Sequence, residues 1–390
     1  MFCSVKRVSV IKGSWSRDQQ RGHKHTTPRG GGVVCNVRSP GCFTLLLLHC
    51  TCTCIVLSAP PLLIFKINME YPSVKLNNGT SMPSFGLGTW LSQPGEVSAA
   101  VKIALNAGYK HIDGASCYGN EVEVGQAYNE YFNSPGAVKR QDVYLVSKLW
   151  VKDFGRVKEA CQRQLKQLQL DYLDLYLMHL PFEVEGDHPR GIPDEDGTGL
   201  LGYDAKRVSE VWAEMEKLVD EGLVKSIGVS NFSSKKINTL LASSPKIVPA
   251  TNQVELHPYL PQKALLETCK QHGIVLTAYS PLGGPGRTDK ADDELNLLED
   301  EIVTAIAKKH SCTNAQVLFK WGIQRGTPVI PKSTNEKRIK ENLECLKVQL
   351  DEEDMNKLNG IETRYRFIKQ LWAITPGNPV DSIWDGEYLG

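Results

Sequence analysis

The stretch HIDGASCYGNEVEVGQAYNEYF (residues 111–132) decides how the chain is read. An apolar run ends at Asp113, and a turn carries Tyr118. Val124, Ala127, Tyr128, Tyr131 and Phe132 then recur at helical spacing. Asn120 and Glu123 form an N-x-x-E pattern, which predicts a capped helix start near Glu121. The segment is therefore a strand, a turn and a helix, and the fold depends on whether that unit repeats.

Similar short runs occur at SFGLGT (84–89), VYLVSK (143–148), LDLYLMH (173–179), SIGVSN (226–231), ATNQVEL (250–256), GIVLTAYS (273–280) and PVIPKS (328–333). With YKHIDG (109–114) they make eight. Each is bounded by polar or turn residues and rich in Val, Ile, Leu and Tyr, as strands buried on both faces are. Helical patterns lie between them. Val97, Ala100, Val101, Ala104 and Leu105 form one, closed by Gly108. Val157, Ala160, Cys161, Leu165 and Leu168 form another. Val208, Val211, Trp212, Met215, Leu218 and Val219 form a third, ended by Gly222.

Alternating strands and helices imply a parallel sheet. Eight such units predict a closed (β/α)8 TIM barrel in a single domain. The competing doubly wound fold needs a glycine-rich phosphate turn after its first strand. FGLGTWLS offers Gly-x-Gly and then Trp90, so that fingerprint is missing. Two segments stand outside the repeat. One is the loop after the fourth strand (183–205), too long for a plain connector. The other is a tail from about residue 361, rich in aromatics. Both are expected to cover the barrel mouth.

Charge and cysteine divide the chain at about residue 68. Residues 1–68 hold nine Lys/Arg against one acidic residue, and 69–390 hold 36 against 43. A mildly acidic body gives no reason to expect nucleic-acid binding. Six cysteines (Cys3, Cys35, Cys42, Cys50, Cys52, Cys54) fall in the first part. Five more (Cys117, Cys161, Cys269, Cys312, Cys345) are scattered without paired spacing. That pattern predicts a reducing, cytoplasmic setting and no disulfide framework. The CTCTC run lacks partner ligands at a familiar spacing, so no metal site is expected. The apolar run 42–67 is long enough to span a bilayer, though Pro60 and Pro61 interrupt it. Residues 1–68 read as a targeting or disordered extension, or as a piece outside the mature protein. The last is favoured, because Met69 reads as a natural start. Residues 69–390 are then the barrel domain.

In this architecture chemistry sits at the C-terminal ends of the strands. Asp113, Lys148, His179 and Asn231 end the second to fifth runs, and Gln253 lies in the sixth. Tyr279 and Ser280 end the seventh, and Lys332 and Ser333 the eighth. Taken singly, each is more often a strand-end charge, a satisfied core histidine or loop packing. Facing one mouth they make a site, because a buried charge needs a partner. A phenol, with a pKa of about 10, is a neutral proton donor at pH 7. Lys148 is expected to lower the pKa of Tyr118 and Asp113 to pair with Lys148, while His179 orients a substrate oxygen. This is a general-acid site aimed at a carbonyl.

A proton donor without a nucleophile needs a hydride source, and a nicotinamide fits. Ser230, Asn231 and Gln253 suit its carboxamide, Tyr279 its ring, and Lys332, Ser333 and Arg338 a phosphate. By itself, KSTNEKRIKEN reads more simply as a solvated helix start. GVSNF (228–232) lacks the second glycine of a nucleophile elbow.

These residues closely resemble the aldo-keto reductase superfamily, the group that includes aldose and aldehyde reductases. The resemblance rests on FGLGTW, GYKHIDGASCYGNEVEVG, VYLVSKLW, LDLYLMHLP, GLVKSIGVSNF, NQVELHPYLPQ, TAYSPLG and VIPKSTNEKRIKENL, and covers every strand in order. It implies reduction of aldehydes and ketones with NADPH by a monomer, through a tetrad of Asp113, Tyr118, Lys148 and His179. It implies cofactor contacts at Thr89, Trp90, Ser230, Asn231, Gln253, Tyr279, Ser280 and Leu282. Lys332, Ser333 and Arg338 would meet the 2′-phosphate, and Glu341 and Asn342 the adenine. Trp90, Cys117, Trp150, Leu180 and Trp372 would line a largely apolar substrate pocket.

His179 points to carbonyl reduction, since the steroid double-bond reductases of the family carry Glu there. Leu180 stands where Trp is usual. Leu91 and Gly286 replace a Lys and an Asp that clasp over the cofactor in aldose reductase, so a weaker clasp and faster cofactor exchange are expected. Two other readings compete. One is an idle barrel kept as a nucleotide-sensing or structural protein. The other is a Schiff-base aldolase using Lys148.

Overall fold

A computed structural model describes residues 71–185, 199–288, 290–291, 293–370, 373–374, 379 and 383–390. The expectations for residues 1–68, including the apolar run, and for Trp372 lie outside these residues. No helix among the described residues is long and apolar enough to cross a membrane.

The predicted runs give seven strands of one parallel sheet: β1 (Leu87–Gly88), β2 (His111–Asp113), β3 (Tyr144–Leu149), β4 (Leu175–Met178), β5 (Ile227–Ser230), β6 (Thr251–Glu255) and β7 (Val275–Tyr279). They neighbour one another in chain order. The eighth run is not a regular strand, yet it closes the ring. Val329 bridges Ala278 of β7 on one side and Phe85 on the other, and Lys332 bridges Gly88 of β1. Pro328 and Pro331 have no N–H to give a ladder. They act only as acceptors, from Ala278 N at 2.7 Å and Gly88 N at 3.0 Å. The fold is a (β/α)8 barrel whose last stave is half-bonded.

Helices α1 (Glu96–Ala107), α2 (Glu121–Phe132), α3 (Val157–Leu168), α4 (Ala205–Asp220), α5 (Ser234–Ala242) and α6 (Lys263–Gln271) follow the first six strands. Two helices then follow each remaining stave: α7 (Glu301–Lys309) and α8 (Asn314–Gln324), then α9 (Glu336–Leu343) and α10 (Glu352–Asn359). The apolar stripes read from the sequence are the buried faces of α1 to α4, with Phe132 and Val219 at their edges. Gly125 lets α2 approach α3 closely, since a Cβ there would stand 2.2 Å from the Gln167 carbonyl oxygen.

The barrel has one blocked end. An antiparallel hairpin, Ser73–Lys75 with Ser81–Pro83, packs Leu76 and the fully buried Met82 against Tyr144, Leu175 and Ala250. These residues lie at the starts of their strands, so the hairpin plugs the N-terminal face. The opposite face carries a second apolar cluster. The loop after β4 begins as a ribbon, Glu183–Val184 against Leu200–Gly202. Val184 packs with Trp150, Leu180 and Phe182, and with Ile383 and Trp384 of the tail. Loop and tail thus meet over the mouth. The tail end is fastened to the start of α5: the Ser233 hydroxyl and Lys236 Nζ both donate to Asp385, and Ser234 N donates to Glu387.

Candidate active site

Asp113, Lys148 and Gln253 arrive on β2, β3 and β6, and His179 follows β4. Tyr118 comes from a short 3-10 turn, Ser116–Tyr118, between β2 and α2. Lys148 is completely buried, and its ammonium donates three times. The acceptors are Asp113 Oδ1 at 2.5 Å, the Gly114 carbonyl at 2.8 Å and the Tyr118 hydroxyl at 3.3 Å. That uses every hydrogen the group has. The second Asp113 oxygen accepts from Gln253 Nε2 at 2.8 Å. The carboxylate is thus held on both sides, as a buried charge requires.

Burial pushes the Tyr118 phenol well above its ordinary pKa, and Asp113, Cys117 and Tyr279 add to the rise. The sequence had suggested a phenol lowered by Lys148. The close Asp113 carboxylate offsets the ammonium, and loss of solvent then decides the direction. His179 is held well below its ordinary pKa by burial, and the Lys148 ammonium adds to the effect. Its ring is therefore neutral. It packs edge-on against Tyr118 and Trp150, with centroids 5.9 and 5.1 Å away. Its Nδ1 lies 3.5 Å from the Cys117 sulfur, and Asn231 Nδ2 donates to its carbonyl at 2.9 Å.

Asn120 stands at the N-cap of α2, but its side chain does not cap it. Asn120 Nδ2 instead donates to the Thr89 carbonyl at 3.0 Å, and Glu123 accepts from Gly95 N at 2.9 Å. The expected capping box is in fact a pair of ties from the start of α2 to the loop after β1. They fix the Tyr118 turn from outside.

A cavity of about 440 Å3 opens beside these groups. Asp113, Tyr118, His179, Asn231, Gln253 and Tyr279 border it at one end. Lys332, Ser333, Arg338 and Asn342 border it at the other, beside the first turn of α9. Thr89, Trp90, Ser280 and Leu282 lie along its walls, with Cys117, Trp150 and Leu180. Two of the expected contacts are placed differently. Ser230 is fully buried, with its hydroxyl donating to the Gln253 carbonyl at 2.7 Å, and is not on the cavity wall. Glu341 is also absent from the wall; its carbonyl accepts from Gln316.

Asn231 has φ 62°, a left-handed backbone that Asn tolerates better than most residues. The turn directs its carboxamide to accept from the Tyr279 hydroxyl at 2.8 Å. Gln253 is only 3% exposed, and its Oε1 has no partner among the described residues. Lys332 and Arg338 make no ion pair among the described residues, although Lys332 Nζ reaches the Leu91 carbonyl at 3.0 Å. An unmatched amide acceptor at one end and two unpaired cations at the other suit a carboxamide and a phosphate on one elongated ligand.

Sequence reasoning missed the residues that hold the cavity rim. Arg287 lies on the wall and pairs with Glu294, both contacts 2.7 Å, each side chain 3% exposed. Glu294 also accepts from the Tyr365 hydroxyl at 3.1 Å. Glu255, at the end of β6, accepts from the tail. For Arg287 and Glu255 the only signal was charge inside a glycine-rich or apolar segment, and Glu294 is masked by the acidic run around it.

A barrel with a buried Asp–Lys–Tyr cluster and a neutral histidine at its C-terminal mouth defines an oxidoreductase class, and the comparisons agree. The aldo/keto reductase family profile matches residues 78–363, and the chain belongs to that family. Among curated relatives, mouse aldo-keto reductase family 1 member A1 is 45% identical over 309 residues, covering 78% of this chain and 94% of that protein. The zebrafish (Danio rerio) member A1-A is 46% identical over 301 residues, covering 76% and 91%. Among solved structures, the aldose reductase from Schistosoma japonicum is 42% identical with a TM-score of 0.70, covering 77% of this chain and 95% of that one. The protein is accordingly an NADPH-dependent oxidoreductase.

Proposed function

We propose that the protein reduces aldehydes and ketones to alcohols, with Tyr118 as the general acid. The carrying observation is the three-way grip on Lys148, which aims an ammonium at the Tyr118 oxygen. Bound NADPH would supply the hydride. Gln253 and Tyr279 would hold its nicotinamide end, and Lys332, Ser333 and Arg338 its phosphate end. Tyr118 keeps its proton at every physiological pH because burial disfavours the phenolate. When the substrate oxygen gains negative charge, Tyr118 passes its proton to it. The phenolate left behind is next to the buried Lys148 ammonium, whose N–H stabilises it at the cavity wall. His179, neutral and fixed between Tyr118 and Trp150, donates to the same oxygen and sets its approach.

The same grip disfavours the aldolase reading. A Schiff-base lysine must present a free amine, and Lys148 has all three hydrogens engaged beside a carboxylate. The deciding experiment is NADPH oxidation over a panel of aldehydes and ketones, with Tyr118→Phe as the control. Removing a positioned acid costs about 10²- to 10⁴-fold in rate. Tyr118→Phe should therefore lose that much kcat while keeping its NADPH affinity by fluorescence quenching. Full activity in the variant refutes the assignment.

A further inference from the structure

The tail segment 365–370 connects the end of β6, the loop after β7 and the cavity wall. Glu255, the last residue of β6, is fully buried. It accepts from Phe367 N at 2.7 Å, Ile368 N at 2.9 Å and His257 Nε2 at 2.9 Å. Arg366 lies 4.0 Å from the same carboxylate and stacks on Trp384 at 3.7 Å. Ile368, which carries the second of these amides, and Gln370 are cavity wall. The Phe367 ring lies under Gly283, where an added Cβ would meet it at 2.6 Å. No other residue type fits there without moving the ring, and Gly283 also has φ 75°.

From this we propose that Glu255 is a positioning residue for substrate selection: it fixes the tail so that Ile368 forms a rigid apolar wall for the far part of the substrate. The proposal rests on the carbonyl-reductase reading of the cavity. Glu255 touches neither the Tyr118 cluster nor the cations at the α9 end. Its effect should therefore depend on substrate length. A carboxylate is suited to the task because two converging backbone N–H groups and an imidazole need an acceptor on both oxygens, and an amide offers only one. Burial alone would raise the carboxyl, but the His257 hydrogen bond, with Arg366 and Phe367 N–H, turns the shift downward, so the acceptor stays ionised.

The test compares wild type, Glu255→Gln and Ile368→Ala on propanal and decanal, with NADPH affinity measured by fluorescence quenching. In both variants the KM for decanal should rise at least tenfold. The kcat and KM for propanal and the NADPH affinity should stay within twofold. Amide exchange at Phe367 and Ile368 should be slower than at Lys369 in wild type, fast in Glu255→Gln and still slow in Ile368→Ala. An unchanged decanal KM in Ile368→Ala overturns the proposal even if Glu255→Gln does not fold. Equal loss on both aldehydes, or rapid exchange of the two amides in wild type, also overturns it. A wild type inactive on every carbonyl instead refutes the function on which the proposal rests.

Discussion

Lys148 is the residue on which the site is built, and its removal should be felt in stability as well as in rate. Lys148→Met would leave the Asp113 carboxylate buried with Gln253 as its remaining side-chain donor. Breaking one side of a buried pair costs about 3–5 kcal/mol. The expected result is a lower urea midpoint together with lost reductase activity. Adding Asp113→Asn should restore much of the stability and none of the rate. A single variant within about 1 kcal/mol of wild type would show that the pair is not charged in the folded protein. Gly114 belongs to the same arrangement. Its carbonyl takes one Lys148 hydrogen, and a Cβ there would stand 3.3 Å from the Val146 carbonyl oxygen, tighter than ordinary contact.

At the scale of elements, the loop after β7 is held to the cavity wall by its own contacts. Leu91 and Gly286 stand on the cavity wall where the family resemblance leads one to expect a Lys and an Asp. The loop carries a buried pair, Arg287–Glu294, with Arg287 also donating to the Gly283 carbonyl at 2.8 Å. Glu294→Gln would weaken a charged, doubly hydrogen-bonded contact, and about 1.4 kcal/mol corresponds to tenfold in rate. Stopped-flow release of NADPH should accelerate about tenfold, and an unchanged rate would show that the loop does not govern release. The elements themselves were unevenly legible. Helix faces followed from spacing. The floor hairpin escaped notice, although Asn78-Gly79 between two short alternating runs is a hairpin signal. The last stave read as a strand because its apolar run is real, while its two prolines withhold the donors a ladder needs.

For the whole molecule, two histidines with lowered pKa link stability to acid. Burial holds both His111 and His179 below the ordinary imidazole value. Above pH about 6.5 both rings are neutral folded or unfolded, and they make no difference. Below it the unfolded chain binds protons that the folded barrel refuses, so stability falls as pH falls. Asp354, held at about 2 between Lys309 and His310, acts the same way in a lower window, from about 4 downward. The urea midpoint should be lower at pH 5.5 than at pH 7.5. Equal midpoints would mean that the two rings gain protons inside the fold.

The sequence by itself determined the alternation of strand and helix, hence the barrel, and which polar residues end each strand. The strands follow from short apolar runs buried on both faces and the helix faces from a period of 3.6, and both are local patterns. Only the tertiary structure decided how those polar ends divide their work. The Lys148 hydrogens and the grip of Glu255 on the tail join residues 30 to 113 positions apart, and the upward shift of Tyr118 comes from burial that the closed barrel creates. Such distances are set by how the barrel closes and how its tail returns, and the spacing of residues along the chain does not encode them.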